Sequence, residues 1–259
     1  MGLNQEKKDK ITDVLKASLR NKFQNYNPET KHMPFHTRLL GKDRLALFSF
    51  IQSLNTTFGT SIYEPVAIAL AADRFKIATT QEKAHNQISD ESHNSIQKIM
   101  TGLINGSTNP DKEKELNSIR KVCRKGTLNK VKLTKVDIWL ESLDGILYLI
   151  DMKTVKPNIG EFKGFKRTLL EWAAAEMAKN SDVKVNTLIA IPYNPYYPEP
   201  YNRWTMKGLF DLPKEILVAE ELWDFLGGEG TWNDLLDCFE IVGIELRDEI
   251  DEYFEKFKQ

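Results

Sequence analysis

Cysteine is almost absent from this sequence. Cys123 and Cys238 are the two present in 259 residues, and they form neither a metal-ligand spacing nor a disulfide framework. Two ordinary thiols in a reducing cytoplasm are the expectation. Long apolar runs are missing too: none approaches the roughly 20 residues that span a bilayer. The segment from Met1 to Lys10 is polar and charged, with no apolar signal core behind it, so no membrane partner is expected. The four histidines (His32, His36, His85 and His93) show no ligand pattern. Gly227-Gly228-Glu229-Gly230 lacks the strand–loop–helix surroundings of a phosphate cradle. What is present suffices for a substantial core, since hydrophobic residues make up 41% and charged residues 28%, unlike a disordered chain.

Net charge is only −1, which by itself argues against a polyanion partner. Its distribution does not. Residues 1–100 hold 14 basic and 10 acidic side chains, residues 101–170 hold 14 and 8, and residues 171–259 hold 8 and 19. A basic first two-thirds permits a phosphate-binding face, because such contacts depend on local lysine and arginine rather than on the total. The acids of the last third read as the solvated faces of C-terminal helices.

The first half reads as helical. Residues 3–23 place Ile11, Val14, Leu15, Leu19 and Phe23 on one stripe. Residues 42–58 are apolar on more than one face, with Gly59 as a C-terminal cap. Ser61 opens a helix through Phe75, and amphipathic helices follow over 81–104 and 111–124, separated by Asn105-Gly106-Ser107. The pattern then changes. Residues 130–141 and 146–155 are short runs rich in Val, Ile, Leu, Trp and Tyr around Leu143-Asp144-Gly145, which predicts a β-hairpin. A helix over 161–179, a strand over 184–191, a loop dense in tyrosine and proline, a short strand over 215–219 and acidic helices over 220–226 and 232–257 complete the reading. One domain is expected over 1–259, with a helical region at 1–128, an α/β core of four or five strands in a mixed sheet at 129–219, and acidic helices at 220–259.

The hairpin carries the chemistry. With Leu143-Asp144-Gly145 as a three-residue loop and Gly145 left-handed, Ser142 pairs with Ile146. Counting outward then sets Asp137 opposite Asp151, on one face and about 4.5–5.5 Å apart at Cβ. Lys153, two residues on, shares that face. Two converging carboxylates near an apolar sheet call for a cation between them. Magnesium suits the position, being usually held by one or two carboxylates plus waters and phosphate. Such an ion polarises a phosphodiester and acidifies a coordinated water, while the Lys153 ammonium orients that water or steadies charge growing on the phosphorane. An Asp-x-Lys tripeptide alone marks a surface ion pair. Here it ends an apolar strand, faces a second acid and precedes a helix, which is a minimal arrangement for phosphodiester hydrolysis.

The order of helix, hairpin bearing Asp137 and Asp151-Met152-Lys153, helix and strand resembles the core of the PD-(D/E)XK nucleases. Within that superfamily, three stretches resemble the TdeIII group of type II restriction endonucleases: the run from Met33 to Arg44, the run from Ser49 to Gly59, and that from Asp151 to Asn158. Val136 stands where the superfamily name has proline, and Asp151 is the shorter acid. The resemblance covers most of residues 10–200. It implies a restriction-endonuclease-like fold and a homodimer that uses Mg2+ to cut unmethylated double-stranded DNA at a GGNCC-type palindrome. A cognate DNA methyltransferase would share the target without needing to bind this chain. It also makes Glu64 a further metal-site candidate, since a helical glutamate upstream of the core often joins the site in this superfamily; read locally, Ser61 and Glu64 form a capping box with Pro65 early in the helix.

Other basic and polar side chains have two readings each. Lys163, Lys166 and Arg167 share a helix face, for phosphate contact or as a solvated surface. Lys156 follows the catalytic strand and is placed to touch the scissile region. Asn194 and Arg203 in the tyrosine loop reach bases or belong to a rigid connector. Arg38, Lys42 and Arg44 contact DNA or line a dimer surface. A repair nuclease on the same core, or a DNA-binding module with structural acids, are the rival functions.

Overall fold

The computed structural model describes residues 2–28, 33–153, 159–201 and 206–257. In chain order it begins with helices α1 (Gln5–Asn25), α2 (Pro34–Leu40), α3 (Lys42–Phe58) and α4 (Glu64–Ala71). Strands β1 (Phe75–Glu82) and β2 (Gln87–Ser89) precede helices α5 (Asp90–Ile104) and α6 (Lys112–Arg120). Next come β3 (Leu128–Lys130), β4 (Val136–Ser142), β5 (Ile146–Met152), α7 (Ile159–Lys179) and β6 (Lys184–Ile191). The one-turn helix α8 (Leu212–Glu215), β7 (Ile216–Val218), α9 (Glu220–Gly227), α10 (Thr231–Glu245) and α11 (Arg247–Glu255) follow. No described helix is long and apolar enough to cross a membrane.

The chain divides into two compact units, one from Met1–Leu70 with Gly227–Gln259 and the other from Ala71–Leu226. The first is helical and joins both ends of the chain. α1 turns Ile11 and Leu15 inward, and α10 supplies Leu235, Cys238 and Val242 to the same unit. Phe23, Phe50, Tyr253 and Phe254 form an aromatic cluster with ring centroids 5.1–5.6 Å apart, within the range where such pairs attract beyond simple burial. The acids of the C-terminal helices do more than face solvent: Lys8 pairs with Asp234 at 2.6 Å, Arg20 with Glu249 at 2.6 Å, and Lys16 with Glu245. Gly59 is the C-cap of α3 as expected but stays right-handed at φ −52°, and a π-helical turn over Gly59–Tyr63 carries the helix into α4, the Glu64 N–H reaching the Gly59 carbonyl. The helix therefore runs through Ser61 rather than opening at it.

The second unit is α/β. Its five-stranded sheet runs in the order β1-β4-β5-β6-β7. β1, β4 and β5 pair antiparallel, whereas β5 with β6 and β6 with β7 pair parallel. This is the mixed sheet expected. A parallel pair needs a crossover, and α7 is that crossover between β5 and β6. It buries Phe162, Leu169 and Trp172 completely, the first two stabilising by roughly 1.5–3 kcal/mol each. β5 and β6, central and covered, read as nearly continuous apolar runs.

Residues 75–89 depart from expectation, because β1 and β2 occupy part of a stretch read as helix. β1 is an edge strand with no fully buried residue, so its apolar alternation is faint and pairing with β4 decides its conformation. The acidic 232–257 segment is likewise two helices, broken at Leu246 (φ −92°, ψ 8°).

Candidate active site

The β4–β5 hairpin forms with the register counted from the sequence. Gly145 is left-handed at φ 78°, its N–H bonds the Ser142 carbonyl at 3.0 Å, and the Ser142 hydroxyl accepts from the Ile146 N–H at 2.9 Å. The ladder pairs Glu141 with Leu147 and Ile138 with Ile150. Its next step faces Asp137 with Asp151. The Asp137 carboxylate reaches across β5, where its Oδ2 accepts from the Met152 N–H at 2.9 Å. The Lys153 N–H extends the parallel ladder to the Ala190 carbonyl at 2.9 Å.

Three side chains meet on this face. Lys153 Nζ lies 2.6 Å from Asp151 Oδ1 and 4.4 Å from the centre of the Phe165 ring, so an ion pair and a cation–π contact hold it together. Asp151 is 5% exposed. Burial pushes its carboxyl up to about 7, the Lys153 ammonium pulls it back, and the Asp137 carboxyl beside it pushes it further up. Burial is the leading cause, and the neighbouring acid adds to it. Gln81 of β1 donates from Nε2 to Asp137 Oδ1 at 3.1 Å and holds a left-handed φ of 57°, a conformation that costs a non-glycine residue roughly 1–2 kcal/mol.

These residues open onto a cleft of about 650 Å³. Thr134 and Lys135 form one wall, and Glu161, Gly164, Phe165 and Thr168 of α7 form another. Among the described residues no group of three or more His, Cys, Asp or Glu is arranged to hold a metal ion. The donor set is therefore two hard carboxylates beside open space. This fits a cation that completes its shell with water and phosphate better than one needing a full protein cage.

The remaining residues singled out in the sequence fall into different environments. Lys166 is fully buried, with Nζ 2.7 Å from both Glu215 carboxylate oxygens and 2.6 Å from Glu115 Oε2. A sealed ammonium between two acids cannot reach a phosphate, which corrects its placement on a DNA-facing surface. Lys163 is exposed on the same helix. Arg167 is half-buried, donating to Gln97 Oε1 at 2.8 Å and lying 3.8 Å from Glu171 Oε1. Asn194 spends its amide inside its own loop, donating to the Glu199 carbonyl and accepting from the Tyr196 N–H. In the helical unit Arg38, Lys42 and Arg44 are exposed, while Glu64 is 3% exposed at the start of α4. Lys156 and Arg203 lie outside the described residues.

Sequence reasoning missed Gln81, Thr134, Lys135, Phe165 and Thr168 as site residues. The period-2 pattern of Ile77, Thr79 and Gln81 was the signal available for the first.

A family model described as type II restriction endonuclease, HinfI, matches residues 3–243. The type II restriction enzyme MjaII of Methanocaldococcus jannaschii is 30% identical over 272 residues, an alignment covering 93% of this chain and 72% of that protein. The type II restriction enzyme HgiCII of Herpetosiphon aurantiacus is 24% identical, with 84% of this chain and 80% of that protein covered.

Proposed function

This chain belongs to the HinfI family of type II restriction endonucleases, and we propose that it cuts double-stranded DNA with Mg2+ at a short palindrome through Asp137, Asp151 and Lys153. As a member it is a site-specific deoxyribonuclease; the metal, the target and the residue roles are the proposal. The observation that carries it is the meeting of two carboxylates and one ammonium at the floor of an open cleft.

Asp137 and Asp151 present the oxygens that would hold the ion. When bound, Mg2+ polarises the phosphodiester and lowers the pKa of its water. Two facing acids at an open cleft favour the fully ionised state when positive charge sits between them, which supports a place for a cation. Lys153, fixed by Asp151 and the Phe165 ring, is placed to orient the attacking water or steady charge on the phosphorane. The GGNCC-type target rests on the resemblance of the segments 33–44, 49–59 and 151–158 to the TdeIII group. A palindrome is served by a two-fold homodimer with one centre for each strand. Lys156, Lys163, Arg167, Arg203, Asn194, Arg38, Lys42 and Arg44 remain candidate DNA contacts, the exposed ones first.

Digestion of DNA of known sequence with Mg2+, followed by mapping of the ends, tests the reading. Discrete fragments ending at one palindrome are expected, and none with Asp151→Asn. Cleavage only at free ends or branched structures would point to a repair nuclease instead. Glu64 is tested separately: Glu64→Gln keeps the shape and removes the charge, and normal cutting by that variant removes Glu64 from the metal site.

A further inference from the structure

We infer that Gln81 is a positioning residue that sets the rotation of the Asp137 carboxylate, and through it the affinity of the site for a divalent cation. The inference rests on the proposed metal site.

The register brackets the pair. Thr80 faces Ile138 and Glu82 faces Val136 across β1 and β4, which leaves Gln81 against Asp137. Each oxygen of that carboxylate has a donor on a different strand: Gln81 Nε2 on Oδ1 at 3.1 Å and the Met152 N–H on Oδ2 at 2.9 Å. The β5 donor is backbone and is set by the sheet. The β1 donor is a side chain, and its placement is the part that sequence can change.

Gln81 makes this contact from a backbone that glutamine rarely adopts, φ 57° within a strand. Asparagine, aspartate and glycine tolerate that region better, and a strained residue persists only where its surroundings over-determine it. Gln81 also lines the cleft that Asp137, Asp151 and Lys153 line. Its amide suits the task because it is neutral. A lysine there would compete with the cation, whereas an amide N–H fixes the carboxylate and leaves its charge for the ion. Hydrogen-bond partners of metal ligands generally act in this way, their loss costing about 10–100-fold in affinity or activity.

Two variants separate the donor from the strain. Gln81→Met keeps the length and removes the donor; Gln81→Gly removes the donor and relaxes the backbone. Binding of Mn2+ to the full chain without DNA is measured by titration calorimetry, beside steady-state cleavage and thermal melting. Both variants should bind Mn2+ about tenfold more weakly, with kcat reduced and KM for duplex DNA unchanged. Gln81→Gly should melt no lower than wild type. Mn2+ affinity within twofold of wild type in both variants would overturn the role of Gln81. Asp137→Ala is the companion control. Loss of Mn2+ binding in it, with Gln81→Met and Gln81→Gly unaffected, sinks only the Gln81 inference. Unchanged Mn2+ binding in Asp137→Ala sinks the metal site and this inference together.

Discussion

Two clusters of acids and lysines sit in the same α/β unit and have opposite fates. In one, Asp137 and Asp151 face a single ammonium, Lys153, and the group opens on a cleft. In the other, Lys166 is enclosed by Glu115 and Glu215, with Lys112 nearby, and nothing opens to solvent. The closed cluster sets Glu115 and Glu215 against Lys166 and Lys112, with Asp211 accepting from the Lys112 N–H, and Glu115 Oε2 is met by the Lys166 ion pair. Lys112 Nζ donates to the Thr187 and Lys214 carbonyls at 2.6 and 2.8 Å and to Asn186. The open cluster has an excess acid and room for an ion. Residue type is nearly the same in the two, so access separates a candidate catalytic centre from a structural one.

The contrast breaks most sharply at the two lysines. Lys153→Ala or Asp151→Asn should lower cleavage on the order of a thousandfold while leaving DNA affinity close to wild type, and Asp151→Asn should also leave the melting temperature close to wild type. Cutting at the wild-type rate by both would end the site assignment. Lys166→Ala should do the reverse, destabilising the fold by roughly 3–5 kcal/mol because two buried carboxylates lose their counter-ion, as read by urea unfolding. A Lys166→Ala protein that unfolds normally and binds DNA poorly would restore this residue to the DNA-facing surface.

A pH series sharpens the comparison further. Burial pulls Lys112 down to about 8 from its ordinary 10.5. Above pH 8 the folded chain therefore gives up a proton that the unfolded chain retains to about 10.5, and stability contributed by this group rises with pH across that window. Cys238, pushed up by burial from its ordinary 9.0, and Tyr253, pushed up to about 12 by burial, work in the opposite direction above their ordinary values of 9 and 10. The rise is accordingly read between pH 8 and 9, and Lys112→Met should flatten it; an unchanged slope would refute the depressed ammonium. The smallest effect is expected at Lys163, exposed on the helix that carries Lys166. Lys163→Ala should change stability by less than about 0.5 kcal/mol and reduce the salt dependence of DNA binding by about one phosphate contact. An unaltered slope would make it a solvated surface residue.

Much of the candidate site was legible because it is local. Fifteen positions separate Asp137 from Met152, whose N–H the Asp137 carboxylate accepts, and the turn between the strands is three residues long. Lys166 misled because helical spacing groups it with Lys163 and Arg167, whereas its partner Glu215 lies 49 positions further on. Gln81 was hidden for a related reason. It is 56 positions from Asp137, on an edge strand whose weak apolar pattern does not announce a sheet.

By itself, the sequence determined the hairpin and its register, because a glycine free to turn left-handed and a strict two-residue alternation act over a few bonds. It also determined the central strands and the crossover helix, whose apolar runs have little alternative to burial. Tertiary structure alone decided which lysine is sealed and which faces the cleft, that β1 is a strand, and that both chain ends build one helical unit. Those outcomes depend on contacts between distant segments, where burial and charge pairing outweigh local preference.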